Sequence, residues 1–223
     1  MRDLRVAAWL LYDFHGLNPL AHQVAGIRGI ITRRWFALIR AEGEPQWLVH
    51  QIERAAFEGQ PGEIATYGSH GELKEALTKL LSGVETVAME YSPKNAIPYV
   101  ARVDAGTIET VQAHNVAVTS SADLIARLLA CWSPEQVASH REAAKHLNAI
   151  KDAAFALIGE SLRDGKTIRE YDVVKFIHAE FEKRGMETES GPIVGVGPHS
   201  GDPHYDPHPE SSQVIAPGNL VLI

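Results

Sequence analysis

Residues 195–210 read GVGPHSGDPHYDPHPE, and a short polar link then leads into Asn219-Leu220-Val221-Leu222-Ile223. Pro198, Pro203, Pro207 and Pro209 forbid an α-helix in this stretch and are expected to hold its backbone extended. His199, His204 and His208 are therefore presented by a loop and not packed on a helix. His204 and His208, although four apart, cannot share a helical face as metal-ligand pairs do. The apolar run that follows looks like the most buried strand of the chain, yet nothing comes after it. The expectation is a functional loop whose partners lie past Ile223, because long loops beside buried strands are where binding and chemistry concentrate.

Upstream of the loop, Pro192 to Val196 reads as a strand, as does Leu220 to Ile223. Before them come two helices. Ser133-Pro134-Glu135-Gln136 has the capping hydroxyl, first-turn proline and third-position glutamine of a capping box. Val137, Ala144, Leu147, Ile150, Ala154, Leu157 and Ile158 then form one apolar stripe on a helix ending near Asp164-Gly165. A second box, Thr167 to Glu170, is expected to start another helix, with Val174, Ile177 and Phe181 buried and Gly185 as its stop.

The first half alternates strands and helices and reads as α/β. Strands are expected at Arg5 to Tyr12, Glu85 to Glu90 and Val116 to Thr119. A hairpin is expected from Trp35 to Arg40 and Gln46 to Ile52 around Glu42-Gly43-Glu44-Pro45. Helices are expected from Asn18-Pro19 to Val24, from Gly71 to Leu81, in short pieces between Ile97 and Gln112, and from a Ser120-Ser121 cap through Leu129. Ala130-Cys131-Trp132 reads as a connection between a domain of residues 1–132 and one of residues 133–223.

Composition narrows the function classes. The 223 residues carry a net charge of -7 with lysine and arginine scattered among acids, which argues against nucleic-acid partners and anionic membranes. One cysteine, Cys131, excludes an internal disulfide and a cysteine-built zinc site. No apolar run has the length of a spanning helix, and Asp13 and His15 cut short the only run resembling a leader, so a cytoplasmic protein is expected.

Nucleotide and hydrolase motifs fail on spacing. Gly159 to Thr167 ends like a phosphate loop but has five residues between Gly159 and Gly165 where the motif has four, and it joins two helices. Gly195-Val196-Gly197 lacks the third glycine of a dinucleotide site, and neither G-x-S-x-G nor H-E-x-x-H occurs. His178 reads as a helix histidine that is satisfied or half-exposed.

Pro203-His204-Tyr205-Asp206-Pro207 followed by Gly218-Asn219-Leu220-Val221-Leu222-Ile223 resembles the entry to the active site of the pita-bread metallopeptidases. That family comprises Xaa-Pro aminopeptidases and Xaa-Pro dipeptidases, with creatinase as a non-peptidase relative. Met89 to Pro93, Ile97 to Tyr99, Val103 to Gly106 and Ser120 to Leu124 resemble its creatinase-like N-terminal domain, and His140 to Leu147 with the two helices resembles the start of its catalytic domain. The resemblance implies an α/β creatinase-like domain followed by the first part of an α+β pita-bread domain.

It also implies hydrolysis of the amide bond before proline in short peptides by a homodimer. Two divalent ions (manganese, cobalt or zinc) roughly 3.5 to 4 Å apart would activate hydroxide. The family's first aspartate ligand would directly follow Leu220 to Ile223, so none of the five ligands is assigned here, and this chain is expected to bind no metal and to be inactive alone. By the same resemblance His204 is the catalytic residue that donates a hydrogen bond to substrate or intermediate. Tyr205 and Asp206 shape the substrate loop, and His199 and His208 are left as solvated loop residues. The rival readings are metal-free C–N hydrolysis of the creatinase type and a pseudoenzyme that serves as a dimerisation module.

Overall fold

In the computed structural model, which describes residues 6–223, the sequence AWLLYD forms β1 (Ala8–Asp13), and all six of its residues are buried. Arg5, where this strand was expected to begin, lies outside the described residues. A strand buried on both faces needs a layer on each side. Leu10 and Tyr12 enter one core and Trp9 and Leu11 the other, following the two-residue period of a strand.

Around β1 lies a six-stranded sheet of order β4-β3-β2-β1-β5-β6, built from β2 (Trp35–Arg40), β3 (Gln46–His50), β4 (Glu63–Tyr67), β5 (Thr86–Met89) and β6 (Ala117–Ser120). The expected hairpin is present as the antiparallel β2–β3 pair. β1 pairs antiparallel with β2 and parallel with β5, β5 with β6 is parallel, and so is β3 with β4. The helices α1 (Pro19–Ala25), α2 (His70–Leu80), α3 (Ala105–Gln112) and the short α4 (Ala122–Ile125) cover the faces. Leu73, Leu77, Ile108 and Val111 close the core under Leu10, and Ala21, Leu124 and Ile125 close the other with Trp35, Trp47 and Phe57.

Several local expectations are corrected. β4 and a 3-10 turn at Gln51–Phe57 were not read from the sequence. The helix expected through Leu129 is α4 continued by a π-helical turn, Ala126–Ala130. Ser121 makes no side-chain cap there, because its hydroxyl donates instead to buried Glu90 at 2.9 Å.

The described residues divide into two compact units, one running up to Cys131 and the other Trp132–Ile223. The second is built on α5 (Pro134–Arg163) and α6 (Glu170–Lys183). Ser133 and Gln136 form the expected capping box on α5: the Gln136 N–H donates to Ser133 Oγ and the Ser133 N–H to Gln136 Oε1. Ile150, Ala154 and Ile158 pack against Val173, Val174 and Ile177 of α6 and against Val194, Val196 and Ile215. The stripe on α5 is buried only in its second half; Leu147 stays 47% exposed.

The strand expected over Pro192 to Val196 is only β7 (Gly195–Val196), paired antiparallel with β8 (Val221–Leu222). Pairing stops at Val196 because the chain turns back on itself at once. A Cβ on Gly195 would lie 2.8 Å from the His199 carbonyl oxygen, so only glycine admits this approach. Among the described residues no helix is long and apolar enough to cross a membrane.

Candidate functional site

The start of α6 is the frame on which the His-rich loop is hung. The box expected from Thr167 to Glu170 does not form, since Glu170 is itself the first helical residue, and Asp172 accepts the Arg169 N–H at 3.1 Å. The first helical N–H groups, which have no partner within the helix, are met by a distant segment. The Glu170 N–H donates to the Gln213 carbonyl at 3.1 Å and the Tyr171 N–H to Ser212 Oγ at 2.8 Å. Arg169 Nη1 donates to the Ser212 carbonyl at 2.8 Å, and Arg169 and Val214 form an antiparallel bridge.

This arrangement releases the Glu170 side chain to point inward, where it is fully buried. Its Oε1 accepts from the Val196 N–H at 2.7 Å, and its Oε2 accepts from the Gln213 N–H and the Tyr205 hydroxyl, both at 2.8 Å. His199 Nδ1 lies 3.0 and 3.1 Å from the two oxygens. Burial pushes the carboxyl up, but the hydrogen bonds from Gln213, Tyr205, His199 and Val196 outweigh it and hold Glu170 below the usual carboxylate range. Burial, and then the bond to Glu170, raise the Tyr205 phenol.

Two expectations about the loop change. Its first part is not extended: Gly197–Gly201 forms a 3-10 turn, which Pro198 tolerates at the start because no N–H is required there. His199 is not a solvated residue. Its ring stacks on Tyr205 with centroids 4.0 Å apart, and its side chain is 24% exposed. Nδ1 is placed to donate to Glu170, and Nε2 lies 3.4 Å from the Gln213 side-chain amide.

The residues singled out from sequence take three different places. His204 is exposed, and its N–H donates to Asp202 Oδ1 at 2.9 Å. Tyr205, its neighbour, is buried on Glu170, so the loop is anchored one residue from His204. Asp206 is exposed and pairs with exposed His208 at 3.1 Å. Asp206 and His208 face His178 of α6 across a cleft of about 380 Å³, with Tyr205 and Gly191 also in its walls. Sequence reasoning missed Glu170 and His199. The only available signal was the excess of polar residues over apolar neighbours at a helix start, which a capping box explained equally well.

A metal centre needs three or more convergent donors. Among the described residues no group of three histidine, cysteine, aspartate or glutamate side chains is placed to hold an ion. Glu170, the most donor-rich carboxylate of the unit, is already saturated by N–H and O–H donors.

Residues 139–223, which span α5, α6, the Glu170 cluster and the loop, match the family model for metallopeptidase family M24. The match covers most of the second unit and none of the first. Solved structures resemble the chain over almost its whole length. The prolidase from Pyrococcus horikoshii OT3 is 20% identical with a TM-score of 0.54, over 99% of this chain and 56% of that one. The X-Pro aminopeptidase from Thermotoga maritima MSB8 gives 16% and 0.56, over 99% and 59%. The dipeptidase PepE from Mycobacterium ulcerans gives 17% and 0.58, over 99% and 55%. No curated protein sequence matches the chain.

At such identities the likeness shows the fold alone: a mixed α/β unit followed by a unit that matches the M24 model, arranged along the chain as in these peptidase structures. The chain spans just over half the length of these structures, from 55% of the dipeptidase to 59% of the aminopeptidase.

Proposed function

We propose that these residues are the N-terminal portion of an Xaa-Pro peptidase of aminopeptidase P or prolidase type, which hydrolyses the amide bond before proline in short peptides. The observation that carries this reading is the M24 match over 139–223, which includes the whole loop and its Glu170 anchor. Similarity over almost the full chain to a prolidase and an X-Pro aminopeptidase supports it. The working protein is cytoplasmic and a homodimer in this reading.

Within the site, His204 is the catalytic residue. Its imidazole N–H donates a hydrogen bond to substrate or intermediate as negative charge develops, which lowers the barrier. Tyr205, fixed by Glu170 and stacked on His199, sets where the His204 backbone lies, and Asp206 shapes the adjoining cleft wall. In this reading the two divalent ions of an M24 peptidase are held by ligands outside these 223 residues; among the described residues no group of three such donors is placed to hold an ion. The same reading has the chain alone inactive.

The test is release of free proline from an Xaa-Pro dipeptide with manganese, cobalt or zinc added. The 223-residue chain is expected to release none. A longer protein carrying these residues is expected to turn over, and His204→Ala in it to lower kcat by about 10² to 10³ with little change in KM. Metal-dependent turnover by the 223 residues would refute the incomplete site. A longer protein that binds metal and spares every Xaa-Pro peptide would remove the peptidase reading.

A further inference from the structure

Glu170 meets two segments of the chain through two different oxygens. The Val196 N–H reaches Oε1 and the Gln213 N–H reaches Oε2, at 2.7 and 2.8 Å. Neither donor can reverse, because a peptide nitrogen carries a proton and no acceptor. The Tyr205 hydroxyl and His199 Nδ1 then complete a ring of donors around one carboxylate. The four donors come from β7, from the turn after it, from the loop centre and from the loop's far end. His204 lies between the second and third anchors, His199 and Tyr205, and is adjacent to Tyr205.

The loop's own contacts would not hold it. Within 202–211 the bonds are short-range: His204 N–H to Asp202, Tyr205 N–H to the Asp202 carbonyl, and His208 with Ser211 at 3.4 Å. Asp206 and His208 pair at the surface, where an ion pair adds little. Residues 212–215 are also tied to the start of α6 by backbone and Arg169 bonds, and β7 to β8, but between those ends the long-range hydrogen bonds of the loop converge on the carboxylate.

We infer that Glu170 is the positioning residue for the loop that carries His204: through Val196, His199, Tyr205 and Gln213 its carboxylate clasps residues 196–213 at both ends. The use of His204 on a peptide rests on the function proposed above; the clasp does not. The clasp requires a carboxylate specifically. A glutamine there would turn its NH2 group toward Val196 in one orientation and toward Gln213 in the other, setting donor against donor either way. Protonation removes the charge on which the four donors converge. The titratable groups facing Glu170 are His199 and Tyr205, and Arg169 beside it is engaged with the Ser212 carbonyl.

Amide hydrogen exchange on the 223-residue chain tests this. In Glu170→Gln the Val196 and Gln213 amides are expected to exchange about ten- to a hundredfold faster, while Ile150 to Ile158 of α5 keep their protection. Unchanged exchange at Val196 and Gln213 would overturn the proposal. So would a uniform rise through α5 and α6, which would make Glu170 an ordinary core residue.

The wild-type chain gives a second readout that does not need the variant to fold. On acidification the Val196 and Gln213 amide resonances are expected to shift together, with one midpoint below the usual carboxylate range. Flat or separate responses would also overturn the clasp. Neither readout depends on turnover, so a failed peptidase assay leaves the clasp standing, and a failed clasp leaves the assay untouched.

Discussion

Glu90 and Glu170 are both fully buried, yet burial raises the carboxyl of Glu90 while Glu170 is held below its usual range. The difference lies in the donors. Glu90 receives three side-chain donors: Trp9 Nε1 at 2.7 Å, Asn18 Nδ2 at 2.8 Å and Ser121 Oγ at 2.9 Å. They offset only part of the desolvation. Glu170 adds two peptide N–H groups to a phenol and an imidazole, enough to reverse the sign. Replacing Glu90 by alanine would strand its three donors in the core between β1, α1 and α4, at about 1–3 kcal/mol for each. Glu90→Ala is therefore expected to lower unfolding stability by about 3 kcal/mol or more, read from the urea midpoint followed by tryptophan emission. A loss below about 0.5 kcal/mol would mean that water or rearrangement satisfies all three. At this scale the sequence was legible for exposed residues and not for buried polar ones. His204 and His208 read correctly as exposed. Thr167 to Glu170, by contrast, looked like a cap because the residues that occupy Glu170 lie 26 to 43 positions away.

Elements carrying their own local signal were read well, and those defined by a partner were not. The box at Ser133 is written in four consecutive residues, and both of its reciprocal bonds are present in α5. β4 is different. Its burial pattern shows no clean alternation, and it is a strand because all five residues from Glu63 to Tyr67 pair in parallel register with Gln46 to His50. Likewise β7 ends where Gly195 brings the His199 carbonyl close, a fold-back that proline content alone could not locate. The cap on α5 supports a prediction of its own. Its first half buries little, so Ser133→Ala should fray that end locally, costing about 1 kcal/mol there, without unseating the core around Ile150. Hydrogen exchange should show lost protection in the first two turns after Pro134 and none at Ile150 to Ile158. Equal loss along the whole helix would show instead that the cap sets the stability of the unit.

The two units keep separate cores, and their buried carboxylates give them opposite responses to acid. In the first, Glu90 has a raised pKa: the native state holds its proton more tightly than the unfolded chain. That contribution is present below the ordinary carboxylate value and is lost as pH rises through the higher native one. Glu53 and Asp104, lowered by hydrogen bonds from Thr32 and Thr107 against the opposing effect of burial, act the other way and offset part of this. In the second unit Glu170, Asp172 and Glu180 are all lowered: Glu170 by its four donors against burial, Asp172 chiefly by Lys175, Glu180 chiefly by Lys183. Their contribution is present above the ordinary carboxylate value and is lost as pH falls through the native values. Acidification from neutrality should therefore open residues 132–223 before residues 6–131. Three tryptophans, Trp9, Trp35 and Trp47, are buried in the first unit's cores, whereas Trp132 is 53% exposed. Tryptophan emission thus reports the first unit, and exchange at Ile150 to Ile158 and at Gln213 reports the second. The expected order is loss of protection at Gln213, then in α5, with emission holding to lower pH. Simultaneous loss of emission and of α5 protection would mean that the lowered groups Glu53 and Asp104 outweigh Glu90, so that both units share one sign of acid response.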